Sequence, residues 1–262
     1  MGAPARLGIA QYLYQFPLGI FAIALATAIF PSLSAEAVSG DKERFKSVLR
    51  RGIEATLFEG LPATIGLILI REPAVRLLFE HGKLTAEHAA LISNSVLFYS
   101  VAIWAFSLQQ ILNRAYYALH DTVTPMVMAA VTLAVNLVVE LPLLWTPLGE
   151  AGMAAGTAAS FMVQALVMLY MLDRRVGGLG LSQVAVPVGK MIIATVVMGL
   201  ACWGLQHTPL YPHGEGWMVW AVQMVVVMTV GAAVYFAACA AMGMDVLQRL
   251  MPRRRKDAGG AS

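Results

Sequence analysis

The sequence predicts an all-α, polytopic membrane helical bundle with about seven transmembrane helices. Of the 262 residues, 59% are hydrophobic and only 13% are charged, whereas soluble domains carry about 25% charged residues. The mean hydropathy is +0.71. The apolar residues form blocks of about 20, the length that an α-helix needs to cross a bilayer. This composition disfavours a soluble enzyme and a disordered chain.

Seven apolar segments are predicted to cross the membrane, because each is long enough to span about 30 Å of hydrocarbon. Short connectors that contain charged residues, glycine or proline separate them. In chain order the segments cover residues 12–34, 52–70, 89–110, 125–146, 151–172, 187–206 and 217–242.

Connectors with charged residues mark the ends of the first two predicted segments, and helix-capping residues mark the starts of the next two. The connector 71–88 contains an amphipathic stretch suited to the membrane interface. Thr85 predicts an N-cap for the third segment, whose helical pattern continues to Leu119 and should project into the cytoplasm. Thr124 followed by Pro125 predicts an N-cap and a first-turn proline for the fourth segment.

Small and aromatic residues characterise the last three segments. Gly152, Gly156 and Ser160 recur every four positions in the fifth segment, so a neighbouring helix is expected to approach closely there. Trp217 and Trp220 mark one boundary of the last segment, as residues of an aromatic belt do.

The basic residues predict the orientation of the helices. Of the 18 lysines and arginines, fourteen would flank one side of the membrane, which is therefore assigned to the cytoplasm together with the C-terminus. The N-terminus then lies outside. An odd number of crossings with this orientation indicates the C-terminal part of a longer protein, because many transporters pair two repeats. The other four basic residues are Arg6, Arg71, Arg76 and Lys83.

Glu140 is the most informative polar residue at membrane depth, because a carboxylate there is costly and usually faces a cavity or a partner. Asn136 lies one turn before it on the same helix face, and Pro142 removes the amide that would bond to the carbonyl of Val138. This group could coordinate a cation or a proton. A neutral Glu140 that is hydrogen-bonded to an adjacent helix is the alternative.

Polar residues in the first two segments point to a cavity. Glu59 lies about two turns inside the second segment and is followed by Pro62, so it is expected to face water rather than lipid. Gln11 and Gln15 lie one turn apart and precede Pro17, which makes the start of the first segment a candidate cavity wall. Polar packing between helices explains these residues equally well.

Motifs of soluble enzymes are absent: the sequence lacks a Gly-rich phosphate loop, a His-Glu-x-x-His motif and a Gly-x-Ser-x-Gly motif. The five histidines show no ligand spacing and both cysteines lie in apolar segments, so neither a metal site nor an organic cofactor is expected. The net charge of +3 is small, and no nucleic-acid partner is expected. The chain is interpreted as not an enzyme, with a membrane-embedded transferase using Glu59, or His120 with Asp121, as an alternative.

Three ordered runs of residues form a specific signature. They are LYQFPLG at 13–19 with ALATAIFPSLS at 24–34, LFEHGKLT at 78–85, and NRAYYALHDTVTP at 113–125. Together they strongly resemble the second-half signature of the MurJ (MviN) family of lipid II flippases. The similarity in layout covers essentially the whole chain.

This resemblance implies the C-terminal half of a fourteen-helix flippase of the multidrug/oligosaccharidyl-lipid/polysaccharide exporter superfamily. Residues 1–180 would form five helices of the second lobe. Residues 181–245 would form two C-terminal helices with a lipid groove, and residues 246–262 a basic cytoplasmic tail. The family orientation agrees with the count of basic residues.

The function that the resemblance implies is transport of lipid II, the undecaprenyl-pyrophosphate-linked peptidoglycan precursor, across the bacterial cytoplasmic (inner) membrane. Transport would proceed by alternating access without ATP hydrolysis and would serve cell wall biogenesis and cell shape. The implied partners are lipid II, membrane lipids and a missing N-terminal lobe. The alternatives are an exporter of another polyprenyl-linked glycan or of a drug, and a noncatalytic scaffold for wall synthesis.

The resemblance also assigns site residues. Gln11, Tyr12 and Gln15 would face the substrate cavity together with Glu59, and Tyr12 stands where family members often have an arginine. Its contact to pyrophosphate therefore departs from the family pattern.

Some relatives are coupled to sodium through the helices that match segments four and five. Asn136, Glu140 and Thr157 fall near the corresponding places. The resemblance thus implies coupling to a sodium ion or to the membrane potential, with no other cofactor.

Overall fold

The computed structural model describes residues 2–80, 85–146, 148–209 and 211–244, and within these ranges every regular element is a helix. The predicted basic tail, 246–262, and Lys83 lie outside the described residues. The elements are α1 (Ala3–Pro17), a π-helical turn (Leu18–Ala22), α2 (Ile23–Ser39), α3 (Lys42–Phe79), α4 (Ala86–Val101), α5 (Ile103–Ala118), α6 (Val123–Leu144), α7 (Glu150–Arg175), α8 (Leu181–Gln206) and α9 (Trp217–Ala241).

The prediction of about seven membrane spans is confirmed. Six helical stretches of the described chain are long and apolar enough to cross a membrane: α1 to α2 as one stretch, α3, α6, α7, α8 and α9. The pair α4 and α5 forms a seventh span if its two helices, which are bent by 46°, cross together.

The first span is a single helical stretch with a defect in its middle. Pro17 has no amide to donate, and the five residues that follow it, Leu18–Ala22, form the π-helical turn. π-Helical turns of this kind often mark functional sites. The defect lies directly after the predicted cavity wall of Gln11 and Gln15.

The helix α3 is longer than the predicted segment 52–70. Its 38 residues correspond to about 57 Å, more than a bilayer's hydrocarbon core. The stretch after Arg71, expected at the membrane interface, continues α3 without a break as far as Phe79, and its Ala74 and Val75 are buried against other helices. Packing on the protein therefore decides the position of this stretch.

The third predicted segment is not one straight helix. Thr85 caps α4 as expected, since its hydroxyl accepts a hydrogen bond from the backbone N–H of His88. The chain then breaks at Ala102, whose φ of −97° and ψ of 1° leave the helical region. α5 continues in a new direction to Ala118, close to the predicted end at Leu119, so the long helical pattern is present but is bent at Ala102.

The corner between α5 and α6 is held by Asp121 rather than by Thr124. The Asp121 carboxylate accepts hydrogen bonds from the backbone N–H of Thr124 at 2.9 Å and from its hydroxyl at 2.7 Å. Arg175 of α7 donates to the same carboxylate. The predicted N-cap at Thr124 is therefore wrong, because α6 begins at Val123 and the acidic side chain before it supplies the acceptor.

Replacing Asp121 with alanine is expected to lower stability at neutral pH by about 1 kcal/mol, the usual cost of a lost cap. The hydrogen bonds from Thr124, together with Arg175, hold the pKa of Asp121 below its usual value. Its contribution is therefore complete above the unfolded-state pKa of about 4 and is lost as the pH falls through the lower folded-state value. Thermal unfolding at pH 7 and pH 3 checks this, and an equal wild-type-to-variant gap at both pH values contradicts it.

The bundle is organised around α3, which packs against α2, α4, α5, α8 and α9. At one end, Lys46 and Arg50 donate to the carbonyls of Gly177 and Leu179; we call this the basic end. At the opposite end, Gln206 donates to the carbonyl of Leu69. Residues that the count of basic side chains assigned to one side thus meet at one end of the bundle.

Candidate functional site

Three polar side chains predicted as a cation site meet between α6 and α7. The amide nitrogen of Asn136 donates to Glu140 Oε1 at 2.8 Å, and the hydroxyl of Thr157 donates to the same oxygen at 2.5 Å. Asn136 Nδ2 also lies 3.4 Å from Thr157 Oγ1. We refer to Asn136, Glu140 and Thr157 as the Glu140 cluster.

The local sequence explains why the two helices meet so closely at this cluster. Asn136 and Glu140 lie one turn apart on α6. On α7, a Cβ atom placed on Gly156 would lie 2.9 Å from Glu140 Cγ, and one placed on Gly152 would lie 2.9 Å from the Leu143 carbonyl oxygen. The prediction that these glycines allow a close helix approach is confirmed.

The chemistry of the cluster is that of oxygen ligands. It offers the Glu140 carboxylate, the side-chain carbonyl of Asn136 and the Thr157 hydroxyl, all half-buried. Pro142 inside α6 also leaves the carbonyl of Val138 without its usual amide donor. Oxygen donors of this kind suit hard cations, and one carboxylate matches a single positive charge.

The cluster extends to two helices that sequence reasoning did not connect to it. Gln11 of α1 donates to the hydroxyl of Tyr99 of α4 at 3.5 Å. The Tyr99 hydroxyl also lies close to Thr157 and Glu140. Tyr99 is 37 residues or more from every other member, so no local spacing in the sequence could have found it.

The predicted cavity residues of α1 lie on an exposed face. Gln11, Tyr12 and Gln15 are all exposed, and Tyr12 and Phe16 each keep 69% of their surface accessible. Tyr14 turns the other way and stacks on Phe106, with ring centroids 4.9 Å apart. α1 therefore buries one face in the bundle and leaves a polar and aromatic face open.

Glu59 stands apart from the other cavity residues. It is half-buried on α3, whereas α1 packs mainly on α4. Among the described residues no hydrogen bond joins Glu59 to Gln11, Tyr12 or Gln15. The structure brings the Glu140 cluster together but does not bring Glu59 to the α1 face.

A buried ion pair ties α1 to α7 and was missed by sequence reasoning. Arg6 Nε donates to both carboxylate oxygens of Glu150, at 2.8 and 3.0 Å. The side chains are only 15% and 7% exposed. Arg6 is the only charged side chain before the first predicted segment. This isolated charge was the one sign in the sequence that Arg6 needs a partner.

The signature runs have mainly structural roles. Tyr116 donates to the carbonyl of Met168 on α7 at 3.1 Å, and the guanidinium of Arg114 lies 5.6 Å from the centre of the Phe30 ring. Asp121 is engaged at the α5–α6 corner, and His120 has a φ of 56° there. Residues 81–84 of the second run lie outside the described part of the chain.

Replacing Gly156 with alanine is expected to separate α7 from α6 at the Glu140 cluster. The added methyl group meets Glu140 Cγ and lies 3.4 Å from Val139 Cγ1, and overpacking of this kind costs about 1–3 kcal/mol. Gly66→Ala is the matched control, because no atom lies within 4 Å of the added Cβ on α3. Thermal unfolding measures both, and a Gly156→Ala variant as stable as the control contradicts the expectation.

The arrangement defines a class of protein. The described helices are long enough to cross a membrane, a polar cluster lies between two of them, and another has an open polar face. These features are typical of a polytopic helical membrane protein of the transporter type. Its helices alone do not say which transporter it is.

The comparison with known families does so. The family described as "Lipid II flippase MurJ" matches residues 1–224. The chain therefore belongs to the MurJ lipid II flippase family, and the resemblance of its three signature runs is confirmed.

Relatives and a solved structure agree with this family. The chain is 28% identical to a probable lipid II flippase MurJ of Rhizobium meliloti over 264 residues, which cover 100% of the chain and 49% of the relative. It is 30% identical to that of Vibrio cholerae over 250 residues, 93% of the chain and 46% of the relative. A solved structure of lipid II flippase MurJ in an inward closed conformation superposes with a TM-score of 0.77 at 20% identity, covering 94% of the chain and 48% of that structure.

The solved structure establishes the likeness of the fold. The chain spans about half the length of these relatives.

Proposed function

We propose that this chain is one half of a lipid II flippase, which moves the undecaprenyl-linked peptidoglycan precursor across the bacterial cytoplasmic membrane by alternating access. An N-terminal lobe completes the carrier. The observation that carries the proposal is the open face of α1, where Gln11, Tyr12 and Gln15 are exposed on a membrane-length helix. Family membership supports the choice of substrate.

The open face requires water or a partner. Two glutamines and a tyrosine hydroxyl facing acyl chains would lack hydrogen-bond partners, which is costly in hydrocarbon. A second lobe facing α1 would enclose a polar path between the two halves. A proline and a π-helical turn follow this face directly, so the regular α-helical hydrogen bonding is interrupted beside the cavity wall.

The two parts of the substrate need different surroundings. The sugars and peptide can hydrogen-bond to Gln11, Gln15 and Tyr12, all of which are uncharged. The pyrophosphate needs cations, and since Tyr12 replaces the arginine of the family pattern, the N-terminal lobe supplies them. The polyprenyl tail lies along the apolar helices α8 and α9, which pack beside α3.

The orientation follows from the charge distribution. The basic end, with Lys46 and Arg50, faces the cytoplasm under the positive-inside rule. The end that carries Arg6 and Glu150 then faces the outside of the inner membrane. Lipid II enters from the basic end and leaves at the opposite one.

The Glu140 cluster couples transport to a cation, either sodium or a proton. Its three oxygen-bearing side chains and the carbonyl freed by Pro142 supply ligands of the right chemistry. Its link through Tyr99 to Gln11 connects the cluster to the open face. Cation binding can thereby change the position of α1 relative to α4 and α7.

A transport role is preferred to a transferase role because Asp121, the acidic member of the proposed His120–Asp121 pair, is engaged in structural contacts. Asp121 accepts two hydrogen bonds from Thr124 and one from Arg175. An acid/base catalyst needs a free oxygen that faces its substrate. The structure of the α5–α6 corner therefore explains Asp121 without a catalytic role.

Depletion of the chain in its source bacterium tests the function. Lipid II in the outer leaflet is expected to fall while total lipid II accumulates, because synthesis continues and translocation stops. Re-expression of the wild-type chain is the control and should restore the outer-leaflet pool. An outer-leaflet pool that is unchanged after depletion rejects the proposal.

A further inference from the structure

A cleft of about 600 Å³ opens at the end of the bundle opposite the basic end. It lies between the second half of α3, the end of α8 and the start of α9, and the connection between α8 and α9 closes one side. It is separate from both the Glu140 cluster and the open face of α1. Nothing in the proposed transport cycle uses it.

Two opposite charges line this cleft without pairing with each other. Arg71 Nη1 donates to the carbonyl of Ile68 at 2.7 Å, and no described carboxylate lies within ion-pair distance of this arginine. Glu215, on the connection, lines the same cleft and pairs with no described basic residue. A ligand that carries both a negative and a positive group would satisfy both.

The other side chains of the cleft balance its charge and indicate its depth in the membrane. Arg76 is paired with Glu72 at 2.8 Å and lies 6.0 Å from the ring centre of Trp220. Trp203 also lines the cleft. Tryptophan side chains of this kind lie at the level of lipid headgroups, and the balanced charge disfavours a purely anionic ligand.

An apolar stripe on α8 leads from the cleft towards the middle of the membrane. It consists of Trp203, Leu200, Val196 and Ile193, which follow one another at helical spacing and are all exposed. Ten residues separate its ends, about 15 Å of helix, which is about half the hydrocarbon thickness. The stripe therefore has the length of one acyl chain in one leaflet.

We propose that the cleft binds the headgroup of a zwitterionic, amine-bearing membrane phospholipid. The phosphate bonds to Arg71, the ammonium group bonds to Glu215, and one acyl chain follows the stripe on α8. The bound lipid fastens α8 and α9 to the end of α3. The headgroup contacts share no residue with the Glu140 cluster or with the open face of α1.

Native mass spectrometry of purified, delipidated protein tests the proposal without lipid II present. The protein is titrated with phosphatidylethanolamine or with phosphatidylglycerol of identical acyl chains. We expect phosphatidylethanolamine to bind about tenfold more tightly, the difference that one charge-assisted hydrogen bond supplies. Arg71→Gln should weaken its binding by a similar factor, and Glu215→Gln should remove the preference between the two lipids.

Arg51→Gln is the matched control, because Arg51 is exposed at the basic end and bonds to Ser47. It should bind both lipids as the wild type does, and thermal unfolding verifies the fold of each variant. If Arg71→Gln fails to fold, Glu215→Gln on the exposed connection carries the test. Equal wild-type affinity for the two lipids, or unchanged lipid preference in Glu215→Gln, overturns the proposal.

Discussion

Glu140→Gln is expected to abolish the stabilisation of the protein by the coupling cation that we propose, while leaving the fold intact. The amide has the same shape and its Oε1 can still accept hydrogen bonds from Asn136 and Thr157, which now meet on one oxygen of Glu140. Only the negative charge is lost. A cation present at a concentration of 100 times its Kd stabilises the folded state by about 2.7 kcal/mol. This stabilisation should vanish in the Glu140→Gln variant.

The measurement is thermal unfolding in sodium chloride against N-methylglucamine chloride at equal ionic strength. The wild-type Tm should rise with sodium if sodium is the coupling ion, and should depend on pH instead if the ion is a proton. Thr157→Val should weaken cation binding by about tenfold, because it removes the hydroxyl that orients the Glu140 carboxylate. In the complete carrier, Glu140→Gln should also make lipid II transport independent of the cation gradient.

Glu87→Gln provides the control for the change of charge. Glu87 is exposed in the first turn of α4, far along the chain from the Glu140 cluster, and its replacement should leave the cation response unchanged. A Glu140→Gln variant that responds to the cation as the wild type does would mean that the cluster only packs α6 against α7.

The parts of the site that could be predicted from the sequence are those with local spacing. Asn136 and Glu140 lie one turn apart on one helix, so their contact follows from helix geometry. The glycines of α7 announced the close approach that places Thr157 beside them. Thr157 itself came from the family resemblance, since no spacing links it to α6.

The parts that escaped prediction depend on contacts between distant segments. Tyr99 reaches the cluster only because α4 packs between α1 and α7, and a tyrosine in an apolar helix carries no sign of that. The break at Ala102 has no proline or glycine to announce it. The length of α3 was underestimated because its charged ends are stabilised by other helices rather than by the membrane.

The second large effect concerns the ion pair between Arg6 and Glu150. Removing either partner, by Arg6→Leu or Glu150→Leu, is expected to destabilise the protein by about 3–5 kcal/mol, because the remaining charge loses this ion pair while it stays largely buried. Thermal and denaturant unfolding in detergent measure the loss. Arg44→Gln is the control, because that arginine is 74% exposed in its pair with Asp41 and should cost less than about 1 kcal/mol.

The double variant Arg6→Leu/Glu150→Leu separates the charge effect from the packing effect. Because it removes both buried charges of the ion pair together, it should be more stable than either single variant. α1 has few other contacts with α7. In the complete carrier, the single variants should therefore also loosen the start of α1, the part of the helix that holds Gln11 against Tyr99. Single variants no less stable than Arg44→Gln would show that α4 alone holds α1. The proposed coupling from the Glu140 cluster through Tyr99 to Gln11 on the open face would then not require the ion pair.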